Sequence, residues 1–397
     1  MTTSIADPIV IVGAARTPMG SFQGEFSSLA AHDLGGVAIK SAVARAGVSV
    51  ELVDEVLFGN CLMAGQGQAP ARQAAFKGGL PISAGAVTLS KMCGSGMRAA
   101  MFGHDMLLAG SADVVVAGGM ESMTNAPYLL QKARGGYRIG HDRVMDHMML
   151  DGLEDAYEAG RSMGTFGEDC AAKYGFTREQ QDQFAITSVQ RAQAATKSGA
   201  FAAEITPVTV KGRAGDTVIS TDEGPGKVKL EKIPTLKPAF KKDGTITAAS
   251  SSSISDGAAA LVMMRASTAA KMGLTPLARI VSHAVHAQEP NWFATAPIGA
   301  VNKALAKAGW SVGDVDLWEV NEAFAVVPMA LMHELKLSHD IVNVNGGACA
   351  LGHPIGCSGA RIMVTLMYAL QARGLKKGVA TLCIGGGEGT AVALEML

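Results

Sequence analysis

The sequence has little charge and no long run of either sign. Only 17% of its 397 residues are charged, and the formal net charge is -1. A nucleic-acid binder carries a basic face, so that class starts unfavoured. No stretch reaches the roughly 18 uninterrupted apolar residues of a membrane span. The first residues, Met1 to Pro8, show no basic segment followed by an apolar run and a cleavage site. Cysteine is sparse as well. Cys61, Cys93, Cys170, Cys349, Cys357 and Cys383 lack the C-x-x-C spacing of a zinc site, and six are too few to staple so long a chain. The expectation is a reduced, cytoplasmic protein without bound metal, in which each cysteine is either core filler or a reactive thiol.

Apolar residues and glycine are plentiful. Hydrophobic residues make up 48%, enough for a large core spread over two or three domains. The 48 glycines cluster, which suggests tight turns and close backbone approaches. Ile9 to Val12, Val114 to Ala117, Leu317 to Val320 and Val379 to Ile384 are near-continuous apolar runs, the pattern of strands covered on both faces. Gly96 to Leu108 and Ala360 to Ala372 have helical length and spacing, so the fold class is α/β. An internal duplication is visible. Cys93-Gly-Ser-Gly-Met-Arg98, a strand and Gly118-Gly119-Met120-Glu121 are echoed by Cys357-Ser-Gly-Ala-Arg361, a strand and Gly385-Gly386-Gly387-Glu388. Asp54 to Asn60 similarly echoes Asp316 to Asn321. Two such halves facing one another would hold a site at their junction. Residues 123–244 are richer in charge and irregular, and read as an insertion over that site. Within it, Thr177 and Gln180 predict a capping box.

Four residues attract chemical attention. Cys93 stands directly before a helix, where free N–H groups and a partial positive charge favour thiolate; a small buried cysteine at a turn is an equally good reading. His353 lies on a glycine-flanked loop followed by proline, a shaped setting suited to a base that activates a thiol. Cys383 ends a buried strand before a glycine run whose N–H groups could face an oxyanion, although strand-end cysteines are more often core. Asn321 follows another buried strand and could equally cap a helix.

Taken together and in order, the motifs resemble the thiolase family from about Pro8 onward. They are Arg16-Thr-Pro, Gln68-Ala-Pro-Ala-Arg-Gln73, Met92-Cys-Gly-Ser-Gly, Ala117-Gly-Gly-Met-Glu-Ser-Met123, Asn321-Glu-Ala-Phe, Gly346-Gly-Ala-Cys-Ala-Leu-Gly-His-Pro-Ile-Gly and Cys383-Ile-Gly-Gly-Gly. The resemblance implies duplicated halves in a five-layered αβαβα core with an inserted loop domain. Its divisions would be an N-terminal half over 1–122 completed by about 245–275, a loop domain over 123–244 covering the coenzyme A site, and a C-terminal half over 276–397. It implies a cytoplasmic homotetramer, a dimer of dimers, active in fatty acid metabolism. The reaction would be a reversible Claisen condensation of two acyl-CoA molecules to 3-ketoacyl-CoA and coenzyme A through an acyl-cysteine, with no cofactor or metal. Cys93 would be acylated, His353 would activate it, and Cys383 would shuttle the α-proton. His353 and a water held by Asn321 would cradle the enolate oxygen, and the N–H groups of Cys93 and Gly385 the tetrahedral oxyanion. Ser252, Met163, Phe324 and Ala323 would line the pantetheine channel, with Lys227 near the nucleotide.

The sequence departs from the family pattern at Ser162, at Ser250 and Ser255 in the serine-rich run, and at Glu388 after the glycines. These touch chain length and pantetheine binding, not the catalytic set. Phe293, within Glu289 to Pro297, falls where the acyl end would be lined, and short acyl groups such as that of acetoacetyl-CoA are expected. The alternatives are a longer-chain thiolase of β-oxidation and a non-catalytic acyl-CoA binder.

Overall fold

The computed structural model describes residues 7–213 and 215–397. The leading residues searched for a targeting segment, through Ala6, lie outside the described residues.

Alternation along the strands sorts side chains into layers. In Ser255–Arg265, Ala259, Leu261 and Met263 face one core, whereas Ala258, Ala260, Val262 and Met264 face another. In Lys377–Ile384, Ala380 and Leu382 join the first core and Val379 and Cys383 a third. The shared core holds the inner faces of both halves and the helices Ser95–Ala109 and Ile355–Arg373. Helices Ala31–Ala46 and Pro70–Lys77 cover the outer face of the first half; Ala296–Ala308 and Val326–Leu335 cover that of the second. The result is the five-layered αβαβα order.

Hydrogen bonding runs in sequence through Leu317–Val320, Lys377–Ile384, Glu388–Met396, Ala278–Ala287, Ile9–Arg16, Ser255–Arg265, Val114–Ser122, Glu55–Gly59 and Gly85–Leu89. The halves meet where Val10 pairs with Arg279 and Ile11 with Ala278. Each half mixes parallel and antiparallel pairs: Glu55–Gly59 runs parallel to Val114–Ser122, and Leu317–Val320 parallel to Lys377–Ile384. The strand Ser255–Arg265 returns after the insertion to pair with Val114–Ser122 and Ile9–Arg16.

The two central helices cross where neither has a side chain. A Cβ on Gly96 would sit 2.8 Å from the Ala360 nitrogen, and one on Gly359 would collide with the Met97 backbone. The second helix begins at Ile355, five residues before its apolar pattern suggested. Glycine disfavours a helix interior, so Gly356 and Gly359 carry no helical signal of their own. Here Pro354 serves as N-cap and the missing side chains let the helices approach.

The insertion carries helices Met163–Tyr174 and Arg178–Ser198, the latter opened by the capping box: Gln180 N donates to Thr177 Oγ1 at 3.3 Å, and Thr177 N to Gln180 Oε1 at 2.9 Å. A fully buried guanidinium ties the insertion to the first strand. Arg16 Nε donates to Glu204 Oε1 at 2.6 Å, and its two terminal nitrogens to Asp222 at 2.6 and 2.9 Å. No helix among the described residues is long and apolar enough to cross a membrane.

The helix crossing yields the first prediction. Gly359→Ala should destabilise by about 1–3 kcal/mol, the usual range for overpacking a tight core. Gly135→Ala, where an added Cβ meets nothing within 4 Å, should change stability by less than about 0.5 kcal/mol. Urea unfolding of both variants measures the difference; equal midpoints would show that the crossing tolerates a methyl group.

Candidate active site

Strand Gly85–Leu89 ends in a tight turn that presents Cys93 at the start of helix Ser95–Ala109. Met92, just before it, sits at φ +46°, a left-handed conformation that costs a non-glycine residue and is held by its surroundings. Ser95 supplies the hold: its Oγ accepts from Lys91 N at 2.8 Å and donates to Met92 O at 2.7 Å. Lys91 Nζ also donates to Glu388 Oε2 at 2.6 Å. The departure at Glu388 thus fastens the Cys93 turn to the glycine run that follows Cys383.

Cys93 is half-buried. Helix-end chemistry alone favours a lowered thiol pKa, and the structure reverses that expectation. Burial pushes the Cys93 thiol up to about 11, against the opposing pull of the Gly385 N–H and its own N–H. At neutral pH the resting residue is therefore a thiol, and attack requires a base. The two N–H groups converge on the Cys93 sulfur.

His353 is buried, and its backbone N donates to Ser253 O at 3.1 Å. Its Nδ1 lies 2.5 Å from Ser358 Oγ, and Ser358 Oγ lies 2.9 Å from Pro354 O. A hydroxyl donates once and accepts as well. When Ser358 donates to Pro354 O it accepts from Nδ1–H and leaves an Nε2 lone pair. When it donates to Nδ1, Nε2 carries the proton. The imidazole can thus serve as base or as donor without moving. Burial, with the Arg361 charge behind it, lowers His353 to about 3 and keeps the ring neutral.

Asn321 lies at the end of Leu317–Val320, fully buried, its Nδ2 3.5 Å from His353 Nε2. It is no helix cap, since the next helix starts at Val326 with Ala325 as N-cap. Its Oδ1 has no hydrogen-bond partner among the described residues. Cys383 is fully buried on its strand; burial first and the Cys93 charge second raise its thiol well above the ordinary value. Ile384, next in the strand, reaches Gly94 beside Cys93, where an added Cβ would collide with its Cδ1, so the two cysteines stand on facing segments. Gly385 follows, and a Cβ there would lie 3.5 Å from Met163 Sδ.

Two buried carboxylates frame the site. Glu121 accepts from the N–H groups of Cys61 and Gly356, both at 2.9 Å, and that of Leu62 at 3.1 Å, joining the first half to the His353 loop. Burial pushes it up to about 7. Glu322 accepts from Ser188 Oγ at 2.7 Å, Asn343 Nδ2 at 2.8 Å and Cys349 N at 3.0 Å.

Of the residues expected along the thioester channel, Ser252 donates through N and Oγ to Ala323 O at 3.0 and 3.1 Å. Phe324 is buried between Phe240 and Phe293, with ring centroids 5.7 and 6.5 Å away. Phe293 shares a core with Cys383 and Phe324, with Met163 packed against it, and meets Phe166 edge-on at 6.1 Å. Lys227 lines a cavity of about 500 Å³ with Lys229, Lys232, Ala249, Ser253 and Cys349, although its ammonium also pairs with Glu223. Sequence reasoning missed Ser358, Glu121, Lys229 and Lys232. A serine in the first helical turn after His353 was a faint signal for Ser358; the lysines stood out only as part of a charged stretch.

Comparison with known proteins places the chain by family and fold. The family model for the thiolase N-terminal domain matches residues 9–267, and that for the C-terminal domain residues 274–396. An acetyl-CoA acetyltransferase of Rhizobium meliloti is 50% identical over 390 residues, covering 98% of this chain and 99% of the relative. Acetyl-CoA acetyltransferase 2 of Arabidopsis thaliana is 51% identical over 392 residues, covering 98% and 97%. The crystal structure of the Bacillus anthracis acetyl-CoA acetyltransferase superposes with a TM-score of 0.96 at 42% identity, covering 98% of this chain and 99% of that one.

The raised thiol and the neutral imidazole generate a pH prediction. In His353→Asn, alkylation of Cys93 by iodoacetamide should climb steadily with pH towards about 11, because only the thiolate reacts. The wild type should react faster at pH 7, where His353 accepts the proton. Mass-spectrometric labelling rates check this; equal rates at pH 7 would remove the base role.

Proposed function

The chain belongs to the thiolase family, and from that premise we propose how its residues divide the chemistry of a short-chain acyl-CoA condensation. The protein is an acyltransferase, an acetyl-CoA acetyltransferase by its close relatives. The observation that carries the assignment of roles is the convergence of the Gly385 and Cys93 N–H groups on the Cys93 sulfur, with Cys383 coupled to it.

In the first half-reaction the Cys93 sulfur bonds to the acetyl carbonyl carbon of acetyl-CoA while His353 Nε2 takes the thiol proton. The oxyanion accepts from Cys93 N–H and Gly385 N–H. Collapse breaks the carbon–sulfur bond to coenzyme A, whose thiolate leaves with the Cys383 thiol proton, so that Cys383 remains as thiolate while His353 keeps the proton taken from Cys93. A covalent acetyl-cysteine then waits while a second acetyl-CoA enters. A thioester α-proton is weakly acidic, so a base must act together with stabilisation of the enolate oxygen. Cys383 removes the proton; His353 Nε2–H and a water held by Asn321 Oδ1 receive the enolate oxygen. The α-carbon bonds to the acetyl carbonyl, the Cys93 sulfur leaves and regains its proton from His353 Nε2, Cys383 keeps the α-proton as its thiol, and acetoacetyl-CoA is released. The dual hydrogen bonding of Ser358 suits both tasks of His353. No metal or redox cofactor takes part in this scheme; the coenzyme A thioesters are substrates.

Ser252, Ala323, Phe324 and Met163 are assigned to the pantetheine arm, and Lys227, Lys229 and Lys232 to its phosphates. Phe293, packed between Phe166 and Phe324, is assigned to the closed end of the acyl pocket. We also propose a cytoplasmic dimer of dimers with a place in fatty acid metabolism. Two sets of exposed apolar side chains support association: Val87 on the edge strand with Phe102 and Leu108 on the adjacent helix, and Leu130, Ile139 and Val144 on the insertion.

Two outcomes test these roles. Cys383→Ser should still acquire an acetyl group on Cys93 from acetyl-CoA but lose at least about 100-fold in condensation, the low end of what a positioned acid–base group supplies. Labelling by mass spectrometry and acetoacetyl-CoA formation are the measurements; equal loss in both would merge the two sulfur roles. Lys229→Ala with Lys232→Ala should raise KM for acetyl-CoA several-fold with kcat nearly unchanged, since exposed charge pairs contribute about 0.2–1 kcal/mol each. A fall in kcat with KM unchanged would place these lysines outside binding.

A further inference from the structure

Helix Ser95–Ala109 begins at the nucleophile and carries, roughly 16 Å further along its axis, a second group of reactive side chains that the condensation does not use. We propose that His104, Asp105 and His283 form a binding site for a divalent transition-metal cation of the zinc type. His104 Nδ1 lies 3.0 Å from Asp105 Oδ1, His283 Nε2 lies 2.9 Å from the same oxygen, and the two nitrogens are 3.2 Å apart. Zinc keeps nitrogen and carboxylate oxygen donors at about 2.0–2.2 Å, which sets neighbouring ligand atoms about 3 Å apart. The observed triangle is therefore one face of such a coordination shell. The imidazole rings stand edge to face at 86°, with centroids 4.9 Å apart.

As a hydrogen-bonded cluster the same triangle is poorly satisfied. If both imidazoles donate to Asp105, two N–H groups crowd each other across 3.2 Å; if one ring accepts, it forgoes the carboxylate. A cation lets both nitrogens present lone pairs. His104 is buried and His283 mostly so, whereas Asp105 is about half-exposed. That asymmetry provides an entry path and leaves the remaining coordination positions to water. Two features limit affinity. Lys307 Nζ donates to His283 O at 2.9 Å and adds positive charge, and the buried His104 Nε2 has no partner among the described residues to orient the ring. The site is thus weaker than a closed four-ligand zinc centre. No spacing rule reveals it, because His283 lies 178 residues beyond Asp105.

The test uses cobalt(II) as probe with the full chain. One cobalt per chain should bind, with visible bands of nitrogen and oxygen coordination and without the near-ultraviolet thiolate band. His283→Ala should lose affinity by more than the about 10–100-fold that even outer-shell partners contribute, and Asp105→Asn should weaken it. Metal-free acyl transfer should be unchanged in both variants. Asp105→Asn, at an exposed position, keeps the test open if His283→Ala fails to fold. A thiolate band, equal cobalt content in Asp105→Asn and the wild type, or no bound cobalt in the wild type would each overturn the proposal.

Discussion

The architecture rests on a contact between backbones. At the crossing of the two central helices, Gly96 meets Ala360 and Gly359 meets Met97, while Gly119 lies against the Gly356 carbonyl. Side chains at these positions would hold the helices apart. Because the helices meet directly, the turn bearing Cys93 and the loop bearing His353 share one junction. Both helices carry apolar residues into the core between the half-sheets, so the crossing also sets the thickness of the central layer. Glu121 extends the contact by binding N–H groups from Cys61, Leu62 and Gly356 at once.

Enclosure governs the electrostatics. Burial raises the thiols of Cys93 and Cys383 and lowers the imidazole of His353, so the resting site is neutral. Charge appears only during reaction, at positions already faced by N–H groups. Fixed donors in a low-dielectric site act strongly and need no reorganisation at that moment. The helix terminus behind Cys93 contributes, but desolvation outweighs it. Ser95 holds the strained Met92, and the Lys91–Glu388 pair fastens the Cys93 turn to the glycine run.

The insertion depends on the core for its own placement. Its Glu204 and Asp222 hold the buried Arg16 of the first strand, and its Ser188 holds Glu322 beside Asn321. Removing one partner from such a buried ionic group leaves an uncompensated charge, which is far costlier than losing an exposed pair. The same segment lines the lysine-rich cavity, so that cavity and the packing of the core are mechanically joined.

Much of this was legible in the chain. Strands buried on both faces read as continuous apolar runs, and the doubled pattern of Cys93 to Glu121 and Cys357 to Glu388 announced two halves with a junction. Motifs around Cys93, His353, Asn321 and Cys383 identified the family, because reactive residues on shaped glycine loops leave local signatures. The first turn of the helix at Ile355 did not, since glycine there answers to a neighbour rather than to helix propensity. Nor did the direction of the Cys93 pKa, the Ser358 support of His353, the Lys91–Glu388 pair or the His104–Asp105–His283 triangle. Each depends on distances between segments far apart in sequence and on how completely water is excluded. Periodicity and local motif are properties of neighbouring residues and can be read along the chain; desolvation and long-range pairing arise only once the halves have closed on one another.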